Sequence, residues 1–136
     1  MSQPRAHLEP ELWVDDTAAA IEFYERAFGA ETEHRVGGAS DPDGVAQLRV
    51  GDARFWVSGT SDAMGRFSAV SIGGTTARLL LVVEDPRSVT AAAVSAGAAL
   101  LRPVAREHAW LVGRVRDPFG HEWEIGHPVG VWPPPR

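Results

Sequence analysis

Ten side chains in this sequence combine the types and spacing that small-molecule recognition uses. Glu9, Glu11 and Trp13 alternate along one polar–apolar stretch, Arg54 and Trp56 along a second, and Glu122 and Glu124 along a third. Arg78 opens a fourth stretch, and His108 and Trp110 lead into a fifth. Carboxylates hold cations and accept hydrogen bonds, a guanidinium donates in a fixed fork to oxyanions, and indoles supply flat apolar walls. In one reading Arg78 meets an anionic or carbonyl-bearing ligand while Trp13 and Trp56 stack on a planar one. In another, Glu9, Glu11, Glu122 and Glu124 hold a cation. A third needs no ligand: Arg78 pairs with Glu124 and Glu9 as a satisfied ion cluster, whose disruption would look important without being functional. His108 reads as a cavity rim or as an exposed loop histidine. No Ser-His-Asp order, phosphate-binding glycine loop or zinc-protease motif is present. The sequence has no cysteine and no lysine, which removes thiolate nucleophiles, thiolate metal sites and Schiff-base chemistry.

The elements that must position these residues are written twice. His7 to Val14 alternates as a half-buried strand, and Asp15-Asp16-Thr17 is a helix start in which a side-chain oxygen satisfies free backbone N–H groups. Ile21, Tyr24 and Phe28 form the helix's apolar stripe, and Gly29 ends it. Extended segments follow near 32–36, 46–50 and 54–58. The second half repeats the order: a strand over 78–83, a helix opened by Glu84-Asp85-Pro86 and striped by Val89, Ala92, Ala93 and Ala96, then strands near 100–104, 110–116 and 121–126. Each half is β-α-β-β-β, and neither is large enough to bury both faces of its own sheet. The expected fold is therefore α+β, with the two paired modules sharing one structure. Module one covers about 7–58, a connecting loop 59–76, module two about 77–127 and a Pro-rich tail 128–136, all in a single domain.

Strand alternation divides the side chains into two sets. Leu8, Leu12, Val14, Phe55, Val57, Leu79, Leu81, Val83, Trp123 and Ile125 face the helices as core. The ten residues above, except His108 and Trp110, share the other face with Ser58, Leu80, Val82 and Gly126. Two tryptophans among carboxylates and aliphatics describe either a ligand cavity or a face covered by a partner subunit. His121 and Tyr24 fall on the helix side as structural residues. The connecting loop carries Met64, Phe67, Val70 and Ile72, so it either folds back over something or is a connector with a few anchors. Trp132 in the tail packs over the cavity mouth or against a partner, or belongs to a free end.

The chain has 136 residues, with 13 basic side chains, all arginine, against 18 acidic ones, a formal net charge of −5. An acidic balance argues against nucleic acid, whose phosphates need a basic face. No apolar run approaches the ~20 residues of a membrane span, and MSQPRAHLEP lacks the apolar core of a secretion leader, so the expectation is a cytoplasmic protein without a membrane partner.

The phrases Leu12-Trp13-Val14-Asp15-Asp16, Ala20-Ile21-Glu22-Phe23-Tyr24-Glu25-Arg26-Ala27-Phe28-Gly29 and Arg116-Asp117-Pro118-Phe119-Gly120-His121-Glu122-Trp123-Glu124 resemble the vicinal oxygen chelate superfamily, which includes glyoxalase I, bleomycin resistance proteins and extradiol dioxygenases. The resemblance runs from about Leu8 to Gly126, and it implies that the paired modules form a curved mixed sheet around a cup-shaped cavity. It implies that the positions holding a metal in the metal-dependent members are Glu9 and Trp56 in one module, Arg78 and Glu124 in the other. The intervals agree: Glu9 to Trp56 spans 47 positions and Arg78 to Glu124 spans 46. Tryptophan has no lone pair for a metal and arginine only donates, so no metal or other cofactor is expected. A divalent ion would have to rest on Glu124 and Glu9, with His7 nearby. The leading expectation is a homodimer with two cups that binds a small organic molecule, in the manner of the resistance proteins. The runner-up is a metal-dependent lyase, isomerase or dioxygenase with an altered site, and a third reading is a degenerate enzyme kept as a structural or regulatory partner.

Overall fold

A computed structural model describes residues 5–38 and 41–136. Residues 1–4, where the leader expectation begins, and Ala39 and Ser40 in the first connection lie outside them.

The first half forms β1 (Glu11–Val14), α1 (Thr17–Phe28), β2 (Glu31–Val36), β3 (Val45–Val50) and β4 (Ala53–Gly59). Asp16 caps α1 by accepting the Ala19 N–H at 3.1 Å, and Gly29 closes it at φ 68°, a left-handed conformation that costs glycine little. The strands make one sheet in the order β1-β4-β3-β2, with β1 parallel to β4 and the other pairs antiparallel. The first strand is shorter than its alternation suggests. Pro10 has no N–H to give a ladder, so regular pairing starts at Glu11, although the Trp56 N–H still reaches the Pro10 carbonyl at 2.8 Å. Leu8 therefore leaves the core it was expected to join and is 91% exposed.

The second half forms β5 (Arg78–Val82), α3 (Pro86–Ala96), β6 (Ala99–Glu107), β7 (Trp110–Arg116) and β8 (Glu122–Pro128), giving a second sheet in the order β5-β8-β7-β6. Glu11 lies opposite Trp56 in the first sheet and Leu80 opposite Glu124 in the second. Glu9 and Arg78 thus sit at equivalent places, two residues ahead of those partners. The two four-stranded mixed sheets together give the open, curved α+β fold expected of the paired modules.

What unites the halves is a common core. α1 packs on α3, and one apolar cluster takes Leu12, Tyr24, Phe28 and Val57 from the first half with Leu81, Ala93, Trp123 and Ile125 from the second. The Trp123 ring lies 4.8 Å from Phe28, 5.3 Å from Phe55 and 5.6 Å from Tyr24, centroid to centroid. Rings at such spacing add to the area they bury by about 0.5–1.5 kcal/mol per pair. At the centre of this layer Asp117 is buried, with four donors around its carboxylate. The Tyr24 hydroxyl and the Trp123 indole N–H (2.9 Å) donate to one oxygen, the Phe119 and His121 backbone N–H groups (2.9 and 3.0 Å) to the other.

The connecting segment does fold back. It contains one 3-10 turn (Asp62–Met64) and the short helix α2 (Ala69–Ile72). The Ser68 hydroxyl donates to Asp15 at 3.2 Å, and Ala69 presses on Gly120, where an added Cβ would stand 3.0 Å from the Ala69 side chain. Gly120, at φ 89°, is fixed both by its conformation and by that close approach.

Candidate functional site

The outward face of the first sheet carries three hydrogen-bonded polar groups. Glu9 accepts from the Gln47 amide at 2.6 Å and from the Trp56 indole N–H at 3.0 Å, and lies 2.5 Å from His7 Nε2. Glu11 accepts from the Ser58 hydroxyl at 2.6 Å. Arg54 donates to Glu33 at 2.8 and 3.3 Å, and Arg49 pairs with Glu33 at 2.9 Å and with Glu31. Gln47 and Glu33 were missed from the sequence, although Gln47 is the residue of β3 directly opposite Trp56. The Gln47 amide, followed by His7 and Trp56, holds the Glu9 carboxyl below the ordinary carboxylate range, against the opposing effect of desolvation. A depressed value stabilises the fold above the ordinary carboxylate range and loses that contribution as pH falls. In a Gln47→Leu variant the Glu9 carboxyl is expected to titrate at higher pH, read from its carbon-13 chemical shift. An unchanged midpoint would remove Gln47 as the main cause.

The same face of the second sheet is looser. Arg78 lies 3.8 Å from Glu122 and 3.6 Å from Glu124, Arg114 3.4 Å from Glu124 and Arg116 3.7 Å from Glu122. These are charge contacts longer than good hydrogen bonds. Beyond them the face becomes apolar and opens into a cavity of about 220 Å³, lined by Leu80, Glu107, His108, Trp110, Val112 and Glu124. Gly126 lies opposite both Val82 and Val112 in the register, and a Cβ there would stand 3.2 Å from the Val112 side chain. The structure thus brings together His108, Trp110 and Glu124, with Arg78 alongside. It adds Glu107 and Val112, which the sequence reading did not single out.

The two sheets share a cavity of about 290 Å³, lined by Glu9 and Arg54 of the first module and by Leu79, Leu80 and Leu81 of the second. Among the described residues no hydrogen bond or ion pair joins the set of Glu9, Glu11, Arg54 and Trp56 to the set of Arg78, Glu122 and Glu124, so the pairing of Arg78 with Glu9 is corrected. Nor does any group of three or more His, Asp or Glu residues stand where it could hold a metal ion, among the described residues. Trp13 is placed differently again. It lines a cavity of about 370 Å³ with Phe67 and Ile72 of the connecting segment and with His121, whose Nε2 lies 3.1 Å from the Trp13 carbonyl oxygen. The Trp13 indole N–H is buried there without an acceptor.

Two β-α-β-β-β modules with a shared core and polar outward faces define a paired-module α+β class. Within it, this chain belongs to the glyoxalase-like domain family, whose model matches residues 11–126. An uncharacterized protein of Mycobacterium bovis is 37% identical over 130 residues, covering 90% of this chain and 83% of that protein. The crystal structure of TioX from Micromonospora sp. ML1 superposes with a TM-score of 0.70 at 24% identity, over 90% of this chain and 95% of that one. The fosfomycin resistance protein FosX of Listeria monocytogenes, in complex with Mn(II) and a dihydroxypropylphosphonic acid, gives 0.69 at 13% identity, over 96% and 94%. These likenesses to solved structures support the fold. Among the described residues no helix is long and apolar enough to cross a membrane.

Proposed function

We propose that the protein binds a small organic molecule at the outward face of its second sheet, without a catalytic metal or other cofactor. The observation that carries this reading is Arg78. Its guanidinium stands within 3.6 Å of Glu124 and 3.8 Å of Glu122, at a position equivalent to Glu9, and a permanent cation there repels a metal ion. The indole of Trp56, which has no lone pair to offer, is committed to Glu9. The donor set therefore does not fit a metal of the kind the metal-dependent members use. The cavity supplies what binding needs instead: an aromatic wall, an aliphatic floor, and a carboxylate and an imidazole to orient a polar group.

Protein purified without chelator is expected to carry well under one divalent ion per chain. A stoichiometric ion that Glu124→Ala abolishes would overturn the proposal and favour the second reading, a metal-dependent lyase, isomerase or dioxygenase. His7 beside Glu9 at 2.5 Å is the observation that favours it, since it provides two potential donors. We further propose a cytoplasmic homodimer that engages neither membrane nor nucleic acid. The second copy covers the apolar side chains that the connecting segment leaves exposed, Met64, Phe67, Val70 and Ile72.

A further inference from the structure

We infer that the C-terminal tail is part of the ligand site, and that Trp132 is the outer wall of an aromatic corner that receives the planar ring of the ligand. The inference rests on the binding site proposed above and adds a residue and a ligand class to it. Three contacts lead to it. The Val129 N–H donates to the Ala109 carbonyl at 2.7 Å, one step beyond the Trp110–Pro128 pair, which carries the β7–β8 ladder up to the β6–β7 connection. Trp132 then packs on Trp110 with ring centroids 5.1 Å apart and planes at 71°. Trp110 is itself a wall of the cavity, beside His108 and across from Leu80 and Val112.

A packing explanation alone does not account for Trp132. Among the described residues its only ring contact is with Trp110, it remains 52% exposed, and its neighbour Val131 is 80% exposed. A tail docked to bury apolar area would hide these side chains rather than leave an indole half exposed beside Trp110. Two indoles near a right angle present a face and an edge, which suits a flat ring stacked on one and met edgewise by the other. Size narrows the class further. At about 220 Å³ the cavity is below the ~300–1,000 Å³ of pockets that swallow a whole drug-sized ligand, so it holds a one- or two-ring body with the rest of the molecule outside. Glu124 and Glu107 lie within this space, so a ring carrying a hydrogen-bond donor, such as a hydroxyl or ring N–H, is the chemistry it takes.

The test uses the full chain and its five indole N–H signals in proton–nitrogen spectra. The probes are 2-naphthol and indole, with naphthalene as the analogue lacking a donor. In the free protein, Trp132→Ala is expected to shift the Trp110 indole signal and leave that of buried Trp123 in place. With 2-naphthol, the Trp110 and Trp132 signals are expected to move together on titration. Trp132→Ala is expected to weaken that binding roughly five- to tenfold while Trp132→Phe stays within about twofold of the parent. Naphthalene is expected to bind more weakly than 2-naphthol. Equal affinity of Trp132→Ala and the parent overturns the inference and leaves the proposed binding site standing. An unmoved Trp110 signal in free Trp132→Ala overturns the tail contact itself. If no probe shifts Trp110 in the parent, both the planar-ring inference and the proposed cavity fail.

Discussion

Replacing Asp117 with alanine is expected to remove about 4 kcal/mol of folding stability, enough to lower the thermal midpoint by roughly 10–20 °C. The carboxylate is buried and accepts from Tyr24, Trp123, Phe119 and His121, so alanine strands four donors in the interior. A buried donor left unpaired costs about 1–3 kcal/mol, and these four share one centre, so their losses do not simply add. Asp117→Asn restores the shape but presents an amide N–H₂ to some of the same donors, and an intermediate loss is expected. Tyr24→Phe removes one donor together with its share of the acceptor and is expected to cost about 1–2 kcal/mol. Urea and thermal unfolding of the three variants give the order. A loss under about 1 kcal/mol for Asp117→Ala would show that water replaces the lost acceptor.

The second large effect is alkaline. Burial first, then the negative charge of Asp117 and its acceptance of the phenol proton, push the Tyr24 hydroxyl well above its ordinary value near 10. The unfolded chain therefore gives up this proton at lower pH than the folded one. The stabilisation is complete below a pH of about 10 and is lost above it, by about 1.4 kcal/mol for each pH unit, until the folded phenol ionises or the chain unfolds. The sequence makes this clean to measure. Tyr24 is the single tyrosine, and there is no lysine or cysteine to titrate nearby. Tyrosinate absorbance is expected to appear together with the loss of near-ultraviolet tryptophan dichroism, and Tyr24→Phe is expected to flatten the alkaline limb of the stability curve. Tyrosinate that forms while the fold stays intact would contradict the burial argument.

Most of the core could be read from the sequence because alternation and helix stripes are local properties. Leu12, Val14, Phe55, Val57, Leu81, Trp123 and Ile125 all face inward as their spacing demands, and Tyr24 is a core residue. Leu8 is the exception, since the alternation continued through Pro10 while the hydrogen-bond ladder did not. Residue types also marked His108 and Trp110 as neighbours of the cavity that holds Glu124. What could not be read was which outward faces meet. Period-2 alternation says that Glu9 and Glu124 both point away from the helices, but not that the two sheets keep them in separate clusters. Asp117 was hidden for a related reason. It reads as part of a turn phrase, and its importance comes from Tyr24, 93 positions earlier in the chain. The role of Gln47 was recoverable in principle, through its place opposite Trp56 on a neighbouring strand.

The shared core has a consequence for how the two outward faces can change. Tyr24, Phe28 and Phe55 find their aromatic partners in Trp123 and Phe119 of the other module, so each half completes the other's interior. As separate chains the halves would meet only as fast and as often as dilution allows. The docked connecting segment makes that meeting intramolecular, at an effective concentration on the order of millimolar. Cohesion is thereby assigned to the inner layer and the tether, and the outward faces are relieved of it. One face can then settle into the tight network around Glu9 while the other keeps loosely spaced arginines and a cavity floored by Leu80 and Val112. A doubled module joined in this way is free to be asymmetric in its chemistry while remaining symmetric in its frame.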